Sequence, residues 1–511
     1  MKSLWNIGIL LLLSSATHQK STPSSLSYIG AAVEYSPVYE SEDGKKASDI
    51  NADNYIKFIT KAAEYSADII VFPESSLSIS SPDLKKLLGR RKSASYIPDP
   101  ESEIIPCDAD EKKYEYSLRS ISCAAKVHKM YVVINHAEKV DCNDTNCESD
   151  GILLYNTNVV FDRSGRVIAK YRKYNLFGET GTNKTQEPIP TIFKTDFGVT
   201  FGQFICFDII FEKPSLDLIR NFSITDIVYP THWFHHLPYA YGNEFQAAWA
   251  YSNDVNFIQS GFNNPLTTSG GSGIYIGREG PAHVVSENKR SNILIVTEIP
   301  KVLNGKRSLA VNRNNVHVYE FDKSEISTTQ ESEIGKYFYR TVDITNQKSE
   351  LIDLKQNVQN HTVCYGEFCC EFQFKLEFNE SAIENGTKYY RYRLNIFDGV
   401  ISFVVKFGSI KTCGIMACTD DTTESCNQVF DFNEKVSLPT TFETLNIYAI
   451  NKDKHNEFFV PVTLATNMKP LNASEFFYTS IEASKSSMHK MSLMSPKNDL
   501  LNFGIFARKF D

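Results

Sequence analysis

The sequence predicts an α/β fold for its first part and a smaller β-rich fold for the remainder. From Ser27 to the region near Pro300, short apolar runs alternate with segments in which apolar residues recur at helical spacing. This alternation is typical of layered α/β domains. After Arg290, polar and charged stretches separate short strand-like runs, and no convincing long helical pattern follows. We therefore expect two domains, the second one rich in strands.

Two segments of the first part have a helical pattern. Residues 51–64 place Ile56, Ile59 and Ala63 on one face, and residues 244–253 form a second helical segment followed by an apolar strand. In the second part, residues 400–405 and 458–462 are β-branched and aromatic runs that predict strands.

Three apolar runs of the first part lead into a polar residue that is able to do chemistry. These residues are Glu74, Lys173 and Cys206, and the runs that precede them cover residues 67–72, 167–169 and 199–205. Because α/β proteins commonly assemble ligand sites at the carboxyl ends of strands, we expect these three side chains to meet.

Composition excludes one class of partner. The chain has 511 residues, a net charge of -8 and a pI near 5.9, so no basic surface for nucleic acid is expected. With 42% hydrophobic residues the chain is long enough for two or more packed domains.

The N-terminus and the sequons predict a secreted glycoprotein. Residues 1–22 combine Lys2, a short apolar run and small residues in the layout of a cleavable signal peptide. The last residues lack the long apolar tail of a lipid-anchor signal, and no transmembrane segment is expected. Seven Asn-x-Ser/Thr sequons are candidate glycosylation sites: Asn143, Asn183, Asn221, Asn360, Asn379, Asn385 and Asn472.

The cysteine count separates Cys206 from the other cysteines. Of 11 cysteines, 10 remain when Cys206 is removed, and these could form five disulfides. Cys107 with Cys123 and Cys142 with Cys147 are plausible local pairs, and the six C-terminal cysteines could pair among themselves. Their connectivity stays open, and a zinc site is disfavoured because matched CxxC elements are missing.

The motifs around the three polar residues resemble the nitrilase superfamily, and most closely its vanin and biotinidase branch. The segments are IIVFPES (69–75), YRKYNLF (171–177) and CFDIIF (206–211). Further similar segments follow in the same order, including YNTNVVFD (155–162), YPTHWFHHLP (229–238) and EFQAAWA (244–250). The resemblance implies an αββα sandwich of two sheets over residues 24–310 and a vanin-type, disulfide-linked β-rich domain over residues 311–511.

The resemblance also implies a role for each site residue. Cys206 is the expected nucleophile, Glu74 the general base and acid, and Lys173 the group that stabilises the oxyanion, with help from the backbone N–H of Phe207. A second glutamate is expected to orient the lysine. Glu179 and Glu187 are both candidates for it.

The substrate pocket and the absence of a cofactor are further expectations. Trp233, Glu244 and Trp249 are candidate pocket residues. His232, His235 and His236 resemble a metal cluster, but no fitting carboxylate spacing accompanies them, so we expect no metal and no cofactor.

The expected activity is hydrolysis of a small linear amide through a thioester on cysteine. The resemblance implies pantetheine as the leading substrate, with pantothenate and cysteamine as products, and biotinyl amides as the alternative. A secreted binding protein that kept the scaffold without activity is a third possibility. A monomer is favoured over an oligomer.

Overall fold

The computed structural model describes residues 20–38, 44–78, 91–142, 147, 150–328, 339–403, 406–431 and 433–510. The predicted signal peptide lies almost wholly outside these ranges, and so does the predicted glycosylation site Asn143. Both stay predictions.

The first part of the chain alternates strands and helices. In chain order its elements are β1 (Ser27–Glu34), α1 (Gly44–Glu64), β2 (Ile69–Val71), α2 (Tyr116–His128), β3 (Tyr131–Asp141), β4 (Ile152–Phe161), β5 (Val167–Arg172), β6 (Thr191–Lys194), β7 (Thr200–Gln203), α3 (Asp217–Arg220), β8 (Asp226–Thr231), β9 (His236–Leu237), α4 (Gly242–Asn253), β10 (Asn256–Gly261), β11 (Ser272–Ile276), β12 (Pro281–Val285), β13 (Ile293–Pro300), β14 (Val302–Leu303), β15 (Lys306–Arg307) and β16 (His317–Glu320). The helical segments predicted over 51–64 and 244–253 fall within α1 and α4.

These strands form two stacked sheets. One sheet has the order β16-β13-β1-β2-β3-β4-β5 and the other the order β12-β11-β10-β8-β7-β6. Strand β1 pairs with β2 in parallel and with β13 antiparallel, so the first sheet is mixed. Apolar side chains of both sheets, such as Ala32, Val71, Val228 and Ile258, share one fully buried core between the layers.

Helices cover the outer faces of the two sheets. Phe58 of α1 and Leu118 of α2 pack with Ile70 in a core outside the seven-stranded sheet. On the other side, Trp249 of α4 packs against Phe257 of β10, with ring centroids 5.4 Å apart. The αββα sandwich is therefore confirmed.

The second part of the chain consists almost entirely of strands. They are β17 (Arg340–Thr341), β18 (Lys348–Leu351), β19 (Val358–Tyr365), β20 (Phe368–Phe378), β21 (Arg391–Ser402), β22 (Phe407–Cys418), β23 (Thr440–Asn451), β24 (Glu457–Ala465), β25 (Phe476–Glu482), β26 (Ser487–Leu493) and β27 (Leu500–Lys509). Most of them form two five-stranded sheets, β18-β21-β22-β27-β24 and β19-β20-β23-β26-β25. The predicted β-rich C-terminal domain is confirmed.

The border between the two domains is best placed later than residue 310. Strand β16, which lies beyond that residue, pairs antiparallel with β13 and extends the first sheet. We propose that the first domain continues at least to residue 320. The contact between the domains includes β17, which pairs in parallel with β9 of the first part.

Ten of the 11 cysteines, all of which are among the described residues, form five disulfides. The two local pairs predicted in the first part are confirmed, and the six C-terminal cysteines pair among themselves. The C-terminal pairs are Cys364–Cys369, Cys370–Cys413 and Cys418–Cys426. Cys206 stays a free, buried thiol.

Candidate active site

The three predicted residues follow strands of both sheets. Glu74 comes three positions after β2, Lys173 directly after β5, and Cys206 three positions after β7. Strands β2 and β5 belong to the seven-stranded sheet, whereas β7 belongs to the six-stranded sheet. Stacking of the two sheets therefore brings together residues that lie far apart in the sequence.

Lys173 is buried between two carboxylates. Its Nζ lies 2.7 Å from Oε1 of Glu74 and 2.5 Å from Oε1 of Glu179, and its side chain is 1% exposed. Burial by itself lowers the pKa of Lys173, but Glu179 and Glu74 outweigh it and hold the pKa well above its usual value. The ammonium group is therefore charged at neutral pH.

Glu179, and not Glu187, is the second glutamate at the lysine. Besides Lys173, its carboxylate accepts a hydrogen bond of 2.5 Å from the backbone N–H of Phe177. Glu187 is exposed to solvent. The sequence could not decide between them, because the segment after β5 has no regular periodicity from which a direction can be read.

A buried asparagine connects the two carboxylates, and sequence reasoning did not single it out. The Asn156 amide donates to Oε1 of Glu74 at 2.8 Å and to Oε1 of Glu179 at 3.3 Å. Asn135 in turn donates to the Asn156 side-chain oxygen at 2.6 Å. The other oxygen of Glu74 accepts the backbone N–H of His232 at 2.9 Å. Glu74 is therefore held in one orientation.

Cys206 combines burial with an unusual backbone conformation. It opens a short 3-10 helix, Cys206–Ile210, and has a φ of 45°. Left-handed φ values in residues other than glycine are strained and are concentrated at functional sites. Burial, followed by the charge of Glu74, raises the pKa of the Cys206 thiol, while Lys173 opposes the rise. The resting thiol is therefore protonated.

The start of this 3-10 helix presents backbone amides. The N–H of Asp208 donates to the carbonyl of Ile205 at 3.0 Å, so helical hydrogen bonding begins at Asp208. The amide of Phe207 precedes that point and has no acceptor within the helix. This position agrees with the prediction that the Phe207 N–H faces a developing oxyanion, which remains a prediction.

Asp208 links the Cys206 helix to the segment that carries Lys173, and sequence reasoning missed it. Its carboxylate accepts the Tyr171 hydroxyl at 2.8 Å and the backbone N–H of Asn175 at 2.9 Å. Burial raises the pKa of Asp208 to about 6. Its place inside the CFDIIF motif was the available signal.

Two cavities meet at Cys206. The polar cavity, of about 130 Å³, is lined by Glu74, Lys173 and Glu179. The second cavity, of about 40 Å³, is lined mainly by aromatic and aliphatic side chains. We call this second cavity the apolar slot. Cys206, His232, Phe177 and Phe234 line both cavities.

Of the three pocket candidates, the structure brings only Trp233 to the site. Trp233 lines the apolar slot. The prediction for Trp249 is contradicted, because its fully buried ring packs against Phe204 and Phe257 in the core. Glu244 is likewise not a wall residue: it is buried and accepts the backbone N–H of Tyr241 at the start of α4. Helical periodicity marks a buried face but does not distinguish a core from a cavity.

The three clustered histidines face different surroundings. The ring of His232 stacks on Phe262 at 3.9 Å, and that of His235 stacks on Tyr241 at 4.0 Å. His236 lines the apolar slot, as does His232, whereas His235 lines neither cavity. Within the described ranges no group of three His, Cys, Asp or Glu side chains is arranged to hold a metal ion. The expectation that no metal is used stays a prediction.

In the part of the chain that the structure covers, no helix is both long and apolar enough to cross a bilayer.

Comparisons with known proteins agree with the geometry. The carbon-nitrogen hydrolase family model matches residues 31–241, and the Vanin C-terminal domain model matches residues 336–511. Vanin-like protein 1 of Drosophila melanogaster is 34% identical over 475 residues, which are 89% of this chain and 82% of that protein. Pantetheinase of Homo sapiens is 31% identical over 398 residues, 76% of this chain and 73% of that protein.

Among solved structures, Saccharomyces cerevisiae Nit3, a member of branch 10 of the nitrilase superfamily, matches with 21% identity and a TM-score of 0.41. The match covers 55% of this chain and 93% of the Nit3 chain. The sequence relatives are far more informative, because they extend over both domains. The chain belongs to the vanin family, and it is a hydrolase that acts on carbon-nitrogen bonds of amides other than peptide bonds.

Proposed function

We propose that the protein is a secreted amidohydrolase that cleaves pantetheine into pantothenate and cysteamine. The observation that carries this proposal is the free thiol of Cys206 beside Lys173, which is itself held between Glu74 and Glu179. These groups supply a nucleophile, a proton carrier and a fixed positive charge, the set that amide hydrolysis through a thioester needs.

The first half of the reaction forms the thioester. Glu74 takes the proton of Cys206 while the sulfur attacks the amide carbonyl, and the oxyanion that forms is stabilised by Lys173 and the Phe207 N–H. Glu74 then gives the proton to the leaving amine as the carbon–nitrogen bond breaks. In the second half Glu74 takes a proton from water and the hydroxide adds to the thioester carbonyl. The carbon–sulfur bond then breaks, the acid is released, and the sulfur of Cys206 takes the proton back from Glu74.

The choice of pantetheine rests on relatives named Pantetheinase that match most of this chain. Pantetheinases of Homo sapiens and Mus musculus match 76% and 88% of this chain. The catalytic and C-terminal family models both match here, so the resemblance is not restricted to the hydrolase domain.

Secretion is supported by independent features. The five disulfides are of the kind that forms in oxidising compartments. Five of the sequon asparagines are exposed, and Asn183 is half-buried, with its side-chain oxygen accepting the Leu154 N–H. The exposed sites are Asn221, Asn360, Asn379, Asn385 and Asn472.

The test is hydrolysis by protein purified from the medium of secreting cells. Pantetheine and biocytin are each incubated with wild type and Cys206→Ala, and the released acids and amines are quantified by mass spectrometry. We expect pantothenate and cysteamine from wild type only, with an unchanged unfolding temperature in the variant. Cleavage of biocytin alone would assign the protein to the biotinyl-amide alternative, and cleavage of neither by folded protein would refute the proposal.

A further inference from the structure

The apolar slot is built partly by the C-terminal domain. Phe403, directly after β21, and Phe506 of β27 line it together with side chains of the first domain. The Phe403 ring lies 6.1 Å from that of Phe207, the residue next to the nucleophile. The Phe506 ring meets that of Phe245 of α4 edge-on at 5.6 Å. The hydrolase domain alone would leave this side of Cys206 open.

Several contacts fix the C-terminal domain against this region. Arg508 of β27 donates through Nε to the carbonyl of Ile210, at the end of the Cys206 helix, at 3.0 Å. The same guanidinium group lies 5.4 Å from the Phe403 ring centroid. A further contact between the domains is the backbone N–H of Arg340, which donates to the His235 carbonyl at 2.8 Å. The position of the two phenylalanines is therefore defined by the domain interface.

The two cavities at Cys206 suit the two halves of an amide. The leaving amine must receive a proton from Glu74, which lines the polar cavity and not the apolar slot. The nitrogen of the scissile amide therefore faces the polar cavity, and the first carbons of the acyl half enter the slot. With a volume of about 40 Å³, the slot has room for about three water-sized groups. We expect a short unbranched chain to fit this space, and a branch on the carbon beside the carbonyl to clash with its walls.

We infer that Phe403 and Phe506 of the C-terminal domain are specificity-determining residues, forming the wall of an acyl slot that selects amides with an unbranched carbon next to the scissile carbonyl. This inference rests on the proposed thioester mechanism. It assigns the C-terminal domain a part in substrate selection.

The test compares pantetheine with an analogue that carries two methyl groups on the carbon next to the scissile carbonyl. Both release cysteamine, which is quantified, so only the fit of the acyl half differs. A pocket discriminates one methylene by roughly 10- to 200-fold. The preference is the kcat/KM for pantetheine divided by the kcat/KM for the dimethyl analogue. We expect this ratio to be lower in Phe403→Ala than in wild type by about tenfold or more. Phe403→Leu should lower it less.

Phe407→Ala is the matched control, because Phe407 lies in the same hairpin but is 78% exposed. It should leave the ratio unchanged, and unfolding temperatures confirm that all variants are folded. An unchanged ratio in folded Phe403→Ala would overturn the acyl slot while leaving the hydrolase proposal intact. A second pair of substrates varies the amine and keeps the pantothenoyl group, and a change confined to that pair would place the amine in the slot instead. No hydrolysis of any of these amides by wild type would overturn both proposals.

Discussion

Two lysines, one in each domain, are buried between carboxylates, yet only one of them belongs to the candidate active site. Lys411 of β22 has its Nζ 2.7 Å from Oε1 of Glu457 and 3.6 Å from Asp398, and its side chain is 2% exposed. It also donates to Asn451 at 2.8 Å. The immediate surroundings of Lys173 are similar, so a buried lysine–carboxylate cluster alone does not indicate chemistry.

The difference lies in where each lysine is placed. Lys411 is in the interior of a strand that is paired on both sides, with β21 and β27. Lys173 follows the end of a strand and lines a cavity together with a free thiol. The first cluster satisfies a buried cation within a sheet, while the second leaves space for a substrate beside charged groups.

The strongest test of this comparison is to replace both lysines by methionine. Lys173→Met removes the charge that faces the developing oxyanion, so kcat/KM should fall by about a thousandfold. Lys411→Met leaves Glu457 without its cation, so the free energy of unfolding should fall by about 3–5 kcal/mol while kcat stays within a few-fold. Activity assays and chemical denaturation measure the two effects. Loss of activity in folded Lys411→Met would show that the clusters do not differ as described.

A smaller effect on kcat is expected when the glutamates that follow Lys173 are replaced by glutamine. Glu179→Gln keeps the shape of the side chain but removes one of the two charges that hold the lysine. A hydrogen bond to a charged group contributes about 1.5–3 kcal/mol, so kcat should fall by about 10- to 100-fold. Glu187→Gln, at an exposed position, is the control and should be within about twofold of wild type. Equal effects of the two substitutions would remove Glu179 from its proposed role.

The smallest effect concerns stability in the C-terminal domain. Burial lowers the pKa of His489 from 6.5 to about 4. The folded state therefore keeps the ring neutral while the unfolded chain binds a proton below about pH 6.5, and stability is lost as the pH falls from there towards 4. Between pH 7 and pH 5 this group lowers the unfolding free energy by at most about 2 kcal/mol.

His489→Gln removes this pH dependence without introducing a charge. In the variant, the difference in unfolding free energy between pH 7 and pH 5 should be smaller than in wild type by up to about 2 kcal/mol. Urea denaturation at the two pH values measures this difference. The kcat at pH 7 should not change. An identical pH dependence in the two proteins would mean that the ring is not held neutral.

The catalytic candidates were predictable because each follows an apolar strand inside a distinct motif. The direction in which a side chain points was harder to predict. The sequence does not show that Glu179 turns towards Lys173 while Glu187 faces solvent, because the intervening loop has no regular period. Nor does it show that Trp249 of α4 points into the core of the domain, since the residues of a core and of a cavity wall are both apolar.

The C-terminal contribution to the site had no sequence signal. Phe403 and Phe506 lie about two hundred and three hundred residues after Cys206. The sequence around each of them has the pattern of an ordinary strand. Only the packing of β27 against α4 and the position of Phe403 directly after β21 bring them to the slot. Long-range placement of this kind depends on domain docking and not on local pattern.

The protonated state of Cys206 has a consequence for the lifetime of the enzyme. Thiolates, rather than thiols, are the species that peroxide oxidises and that attack disulfides. Because burial raises the pKa of Cys206, almost no thiolate exists between turnovers. One reactive sulfur can thus persist beside five crosslinks without exchanging with them, and the protein can remain active in surroundings that would inactivate a more acidic cysteine.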